Sequence, residues 1–334
     1  MKKRIAILVA LMLTLSLVFA VTASAQKAKN LNMAITASET SSWYEGGKVF
    51  KQIVEEKTEG RYTVTLFPNE QLAGGDQQRG VEMVYTGESD VDLHSSMLHA
   101  NIEPKLTAIS LPFAYSSLED VDKKLIYNEE AMAAVSDLVG VKGPVLLGIG
   151  ENGFRQLTNS KHAVKTPEDL NKLKIRVPNT PLFLDIFRAL GADPTAMAWA
   201  EVYTALQQKT IDGQENPLDT IKSGNVQEVQ KYLSIWNYTY DPLLLTVSQQ
   251  LWDSLSDEDK GIFREAGLKA MEEQRRITRE RNAALEKEFA DGGMEVYTLT
   301  EAEMQAFKDK LTDLTKSYEE KMGKDLLTIL GYYD

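Results

Sequence analysis

The chain contains no cysteine, which excludes disulfide staples, thiolate nucleophiles, sulfur-ligated metals and a lipid tether on an N-terminal cysteine. Histidine is nearly as scarce. His94, His99 and His162 include no pair at the i, i+4 helical spacing of a zinc site and no H-E-x-x-H context. All three read as ordinary polar residues, His94 being set apart only by its place at a strand end, and neither a metal nor a cofactor is expected. No G-x-S-x-G elbow is present, and "AGGDQQRG" lacks the dinucleotide and phosphate-loop glycine spacings, which argues against nucleotide binding. Positive charge is also short. The 37 Lys and Arg against 49 Asp and Glu leave a formal net charge of -12, arguing against nucleic acid and anionic membrane surfaces as partners.

Only the first 25 residues carry a long apolar run. Lys2, Lys3 and Arg4 precede Ile5 to Ala20, and Ala23-Ser24-Ala25 follows as a small-x-small cleavage site. This is the pattern of a secretory signal peptide cut before Gln26, and with no cysteine it points to a free protein in a Gram-negative periplasm. Loss of those three cations takes the charge from -12 to -15, so any anionic ligand must be held by local cations against the overall field. The 309 residues that remain of 334 are more than one core usually organises, so two domains are expected. No repeat or linker-like tract separates them.

Leu31, Met33 and Ile35 alternate as a first strand, and Val49, Phe50, Ile53 and Val54 share one face of a helix that Gly60 stops. "RYTVTLFP" is the next strand, a helix follows near Gln77 to Tyr85, and a strand runs around Val91 to His94. This is βαβ order with a mainly parallel sheet. "AISLPFAY" and "PVLLGIG" read as further strands, and "KTPEDL" as a helix start with Thr166 as cap. A second α/β unit comprises the strand "KLKIRVP", helices at about Pro181 to Leu190 and Ala200 to Gln208, and the loop "IDGQENP". From Ser256 the chain reads as one long helix, and Thr300 with Glu303 makes a capping box for a last one.

Open α/β sheets place ligand sites at strand ends. There the sequence sets Arg155 after "PVLLGIG", Arg176 at the end of its own strand, Ser95 and Ser96 after "VDLH", and Gln214 and Asn216 in "DGQENP". An arginine suits a carboxylate because its planar fork donates two parallel hydrogen bonds and keeps its charge. Either arginine is equally open to a structural role, as partner to one of the many acidic residues. Trp199 and Tyr238 are candidates to wall a pocket, or are core aromatics.

Taken together, "ENGFRQLTNS", "KTPEDL", "LKIRVPNTP", "FRALGADPTAMAWAEVYTALQQKTIDGQENP" and "EVQKYLSIWNYTY" resemble the DctP-type substrate-binding proteins of TRAP transporters. "SSWYEGGKVFKQIVEEKTEGRYTVTLFPNEQLAGGDQQ" and "LPFAY" extend the resemblance over the first half. It implies a two-domain, periplasmic-binding-protein-like α/β fold with a ligand cleft between domains and a long bridging helix. The boundaries expected are 26–152 plus about 241–280 for one domain, and 153–240 plus about 281–334 for the other.

The resemblance further implies an organic acid whose carboxylate is gripped by Arg176, with Arg155 as a second cation and Asn216 as a polar contact from the opposing loop. Glu39 and Asp76 are carried as further candidate contacts. In the sialic-acid branch an acidic residue stands where Ser95 stands here, and dicarboxylate members often have lysine and threonine at the positions of Arg155 and Gln214. Arginine and "GQENP" lie closer to the branches that take sugar acids. A uronate such as glucuronate or galacturonate is therefore expected, with Ser95, Ser96, Gln214 and Asn216 meeting its hydroxyls. A C4-dicarboxylate or keto acid is the alternative, and a periplasmic enzyme on acidic sugars or a chemosensory ligand-binding protein are remoter ones. The expected partner is a permease of one small and one large integral membrane subunit; the protein itself is expected to be a monomer with no catalytic residues.

Overall fold

The computed structural model describes residues 28–333, so the expected signal peptide lies outside the described residues. β1 (Lys29–Ile35) buries Leu31, Met33 and Ile35 completely, as their alternation predicts. α1 (Ser42–Lys57) starts where the Ser41 side chain accepts from the Tyr44 amide, and it turns Trp43, Phe50 and Val54 inward. β2 (Tyr62–Phe67), α2 (Gln77–Thr86) and β3 (Val91–Ser95) complete the first βαβ units. A short helix α3 (Ser96–His99), helix α4 (Glu129–Gly140) and β4 (Val145–Phe154) follow.

"AISLPFAY" is not a strand. Residues Pro104–Ser110 form a 3₁₀ helix that Pro104 opens at its first position and the Glu103 side chain caps. Leu106, Ala108 and Ile109 are all buried there, so apolar content without period-2 alternation was misleading. "KTPEDL" likewise forms only a 3₁₀ turn, Pro167–Leu170, with a capping box between Thr166 and Asp169.

The second domain is built from β5 (Gln156–Asn159), β6 (Lys174–Val177), α5 (Pro181–Ala189), β7 (Asp193–Ala196), α6 (Trp199–Gln207), β8 (Gly213–Asn216) and β9 (Tyr232–Ile235). The chain then returns to the first domain through β10 (Tyr240–Val247). The five-stranded first sheet has the order β2-β1-β3-β10-β4. After the long helix α7 (Asp257–Asp291), β11 (Glu295–Thr298) joins the second sheet, ordered β11-β9-β5-β8-β6-β7.

Both sheets are mixed rather than mainly parallel. β4 carries the chain out of the first domain and β10 brings it back, so the two run antiparallel, paired from Tyr240 opposite Phe154 to Val247 opposite Val145 with register shifts after Asp241 and after Leu245. β10 is also antiparallel to β3, and β5 is antiparallel to β8 and β9. Arg155 occupies the single position between β4 and β5, and its amide bonds the carbonyl of Thr239 on the returning segment at 3.0 Å.

α7 has 35 residues and so runs about 52 Å. It packs on α1 and β4 of the first domain, then on β11 and the short helix Leu218–Ser223 of the second. Glycines permit the approach: a Cβ on Gly267 would lie 2.5 Å from Cβ of Leu147, and one on Gly148 would lie 2.9 Å from the carbonyl oxygen of Gly267. Gln274 of α7 fastens to β4 by accepting from the amide of Glu151 and donating to its carbonyl, both at 2.8 Å. The last helices, α8 (Glu301–Met322) and α9 (Lys324–Ile329), were expected with the second domain, yet they pack on both. α8 meets α5 and the 3₁₀ helix at Pro104–Ser110, and α9 meets α4.

Candidate functional site

The strands of both domains end around one interdomain cavity, narrow in this closed arrangement at about 30 Å3. Thr36, after β1, and Ser95, at the end of β3, line it from the first domain. Arg176, ending β6, and Asn216, ending β8, line it from the second, and the hinge adds Arg155 and Asp241. This is where an open α/β sheet offers backbone ends and loop side chains to a ligand.

Arg176 is 1 % exposed. Its Nε and Nη2 both donate to the carbonyl oxygen of Met197, at 2.9 and 2.7 Å, and Nη2 also reaches Oε1 of Gln77 at 3.3 Å. Its guanidinium carbon lies 5.6 Å from the centre of the Trp199 ring. These contacts orient the group without neutralising it, and among the described residues no carboxylate forms an ion pair with it. Burial accordingly pushes its pKa down, to about 9, because the charged form has lost water and gained no bonded anion.

Arg155 is in the opposite situation. Nη2 donates to Oε1 of Glu215 at 2.7 Å, Nε donates to Oε2 of the same carboxylate, and Nη1 donates to Oδ2 of Asp241 at 2.6 Å. Nη2 reaches the Glu215 carbonyl and Oδ1 of Asn216 as well. Burial opposes its charge, but the Glu215 and Asp241 carboxylates outweigh that and hold its pKa above the ordinary value. Arg155 is therefore in the cavity wall but is not the second free cation expected of it. It ties β8 of the second sheet to β10 of the first.

The remaining candidates divide in the same way. Trp199, Ser95 and Asn216 line the cavity. Ser95 donates to Oδ1 of Asp241 at 2.6 Å, and Asn216 donates to Oε1 of Gln214 at 2.7 Å. Gln214 is buried behind Asn216, where it bonds Thr158, and Ser96 faces Ser110 in the interior. Tyr238 is core: it stacks with Trp236, Phe183 and Phe187, and its hydroxyl donates to Glu215 at 2.7 Å. Glu39 is exposed and outside the cavity lining. Asp76 is also outside it and caps α2 by accepting from the amides of Gln78 and Arg79. None of these four or Asp76 faces the cavity.

Several lining residues were not foreseen. Gln77 of α2 reaches across the cleft, its Oε1 accepting from the Trp199 amide at 2.8 Å as well as from Arg176. Asn152 donates to Asp241 at 2.7 Å and accepts from Trp43 and Thr220 at 3.1 and 2.6 Å. The one signal for Glu215 was its place in "GQENP", directly beside Asn216. Beneath Thr36 lies a buried group of Glu70, Asp92, His94 and His99. Burial opposes charge on His94, yet Glu70 and Asp92 push its pKa up to about 10, whereas burial takes His99 down to about 4. His94 and His99 are thus buried, specifically paired groups rather than ordinary polar residues, whereas His162 is exposed.

Comparison with known proteins agrees with this architecture. Residues 33–321 match the family described as DctP, bacterial extracellular solute-binding protein, family 7. The 2,3-diketo-L-gulonate-binding periplasmic protein YiaO of Escherichia coli (strain K12) is 32% identical over 309 residues, covering 91% of this chain and 92% of that one. A TRAP periplasmic solute-binding protein from Ralstonia eutropha H16, solved with (S)-2-acetolactate, superposes with a TM-score of 0.87 at 31% identity, covering 91% and 98% of the two chains. Another from Sulfitobacter sp. NAS-14.1, solved with β-D-galacturonate, gives 0.85 at 30% identity, covering 90% and 99%. Among the described residues no helix is long and apolar enough to cross a membrane. A two-domain fold closing on a buried arginine, and a family match over most of its length, place this chain among the periplasmic solute-binding proteins of TRAP transporters, the DctP family.

Proposed function

We propose that the protein captures a sugar acid bearing a single carboxylate, such as galacturonate or glucuronate, and hands it to a TRAP permease of one small and one large membrane subunit. The observation that carries this reading is the unpaired charge of Arg176. A buried guanidinium without a carboxylate is costly, and a ligand carboxylate fitting its fork removes that cost. Arg155 is already matched by Glu215 and Asp241, so the cavity has one free cation to offer among its described lining residues. A C4-dicarboxylate would bury its second charge beside Asp241 without a partner. Hydroxyls suit that end better, since Ser95, Asn152, Asn216 and Thr220 present hydroxyl and amide groups, and the Trp43 and Trp199 rings offer flat walls. The Ralstonia and Sulfitobacter relatives were solved with ligands of the same kind, one carboxylate with neutral oxygens.

Ligand enters with the domains apart, docks its carboxylate on Arg176, and closes the hinge through contacts made only in the closed form. The monomer releases it unchanged. A thermal-shift screen of the purified protein against uronates, aldonates, diketogulonate, acetolactate, succinate and malate tests this. A ligand at a hundred times its dissociation constant adds about 2.7 kcal/mol of stability. A shift with a uronate or aldonate, absent with succinate and malate, supports the proposal; the reverse pattern rejects it. Recovery of the bound acid unaltered by mass spectrometry separates capture from catalysis.

A further inference from the structure

We propose that Asp92, His94 and His99 form a binding site for one zinc ion, buried in the first domain beneath the ligand cavity. One ligand atom from each residue lies within 4.8 Å of those of the other two. Oδ2 of Asp92 is 3.0 Å from Nδ1 of His94 and 3.7 Å from Nε2 of His99. Two imidazoles and a carboxylate are a common donor set for zinc.

Each residue is also held by its other polar atom. Nε2 of His94 pairs with Oε1 of Glu70 at 2.8 Å, and Nδ1 of His99 with the hydroxyl of Tyr85 at 3.0 Å. Oδ1 of Asp92 accepts from Thr246. Outer partners of this kind fix the tautomer and aim of metal-bound imidazoles. Nε2 of His99, by contrast, is fully buried with no hydrogen-bond partner, and it faces the carboxylate of Asp92. A buried nitrogen left unbonded in this way is unusual unless something occupies its lone pair.

Charge gives an independent reason. Glu70 and Asp92 are two buried carboxylates, and among the described residues no lysine or arginine pairs with either. The two nitrogens of His94 each face one of these carboxylates, at 3.0 and 2.8 Å. Zinc displacing the proton on Nδ1 of His94 brings two carboxylates and one dication to neutrality, and releases one proton to solvent. The site is closed, so the ion is taken up as the domain folds.

The test is to refold the whole chain from denaturant with zinc or with a chelator, desalt it, and measure retained zinc per chain. The expected result is one zinc for the wild type and for His162→Ala, with loss of at least about 100-fold in competition affinity for Asp92→Asn and His99→Ala. Tyr85→Phe, which leaves all three ligands in place, weakens zinc by about tenfold through its outer hydrogen bond. Zinc-edge absorption of the loaded protein should report two imidazoles and oxygen. Wild-type protein that retains no zinc, or His99→Ala that retains it as tightly as wild type, overturns the proposal.

Discussion

Arg176 grips the carbonyl oxygen of Met197 with two of its nitrogens, at 2.9 and 2.7 Å, and so is aimed into the cleft while its charge stays uncompensated. Replacing it should separate binding from stability. Arg176→Met is expected to cost about 2–5 kcal/mol of ligand affinity. The same change should leave the melting temperature of the ligand-free protein equal or higher, because an isolated buried charge is removed. Calorimetric titration and a thermal melt check the two halves, and a large drop in ligand-free stability contradicts the assignment.

Arg155→Met should behave in the contrary way. It strands Glu215 and Asp241, two buried carboxylates that meet the guanidinium on three of its nitrogens. Breaking a buried pair by removing one partner costs about 3–5 kcal/mol. Chemical denaturation of the ligand-free variant reads this directly; stability within error of wild type shows that the hinge does not depend on the cluster.

Gln77 offers a sharper probe. Its Oε1 sits 3.3 Å from Nη2 of Arg176 and 2.8 Å from the Trp199 amide. Gln77→Glu keeps both acceptor contacts and adds the missing negative charge, so it should raise the ligand-free melting temperature while competing with the ligand. A variant that binds ligand as well as wild type speaks against Arg176 as the carboxylate's partner.

The effect of pH follows from Arg176, which burial lowers to about 9, and from a ligand carboxylate ionised above about 4. Affinity should be flat from roughly pH 5.5 to 8 and fall above about 9 as the cation loses its proton. The stability sign is the opposite. The folded state binds this proton less tightly than the unfolded chain, so above about 9 Arg176 ceases to oppose folding. An affinity that drops tenfold per unit between pH 6 and 8 instead assigns the carboxylate to a histidine.

Much of the architecture could be read from local chemistry. The long helix from Asp257, the strands at Leu31 and Val91 and the helix from Pro181 follow from periodicity and caps, which neighbouring residues determine. The 3₁₀ segment at Pro104–Ser110 was misread because an apolar run without alternation fits either geometry. Arg176 and Arg155 were indistinguishable in the sequence: each ends or follows a strand in a chain rich in acids. What separates them is Glu215, 60 residues from Arg155 in sequence, and Asp241, 86 away, contacts created by the pairing of β5 with β8 and of β4 with β10. Gln77 was invisible for the same reason, since 99 residues separate it from Arg176. The histidine group was missed because the spacing sought was helical, whereas Asp92 and His94 sit two apart on a strand, with His99 on the next helix.

The most direct measurement is a crystal structure of the closed protein with the sugar acid that gives the largest thermal shift. The account predicts both carboxylate oxygens within hydrogen-bond distance of Arg176, with Arg155 still bound to Glu215 and Asp241. A carboxylate resting on Arg155 with Glu215 displaced, or touching neither arginine, contradicts it.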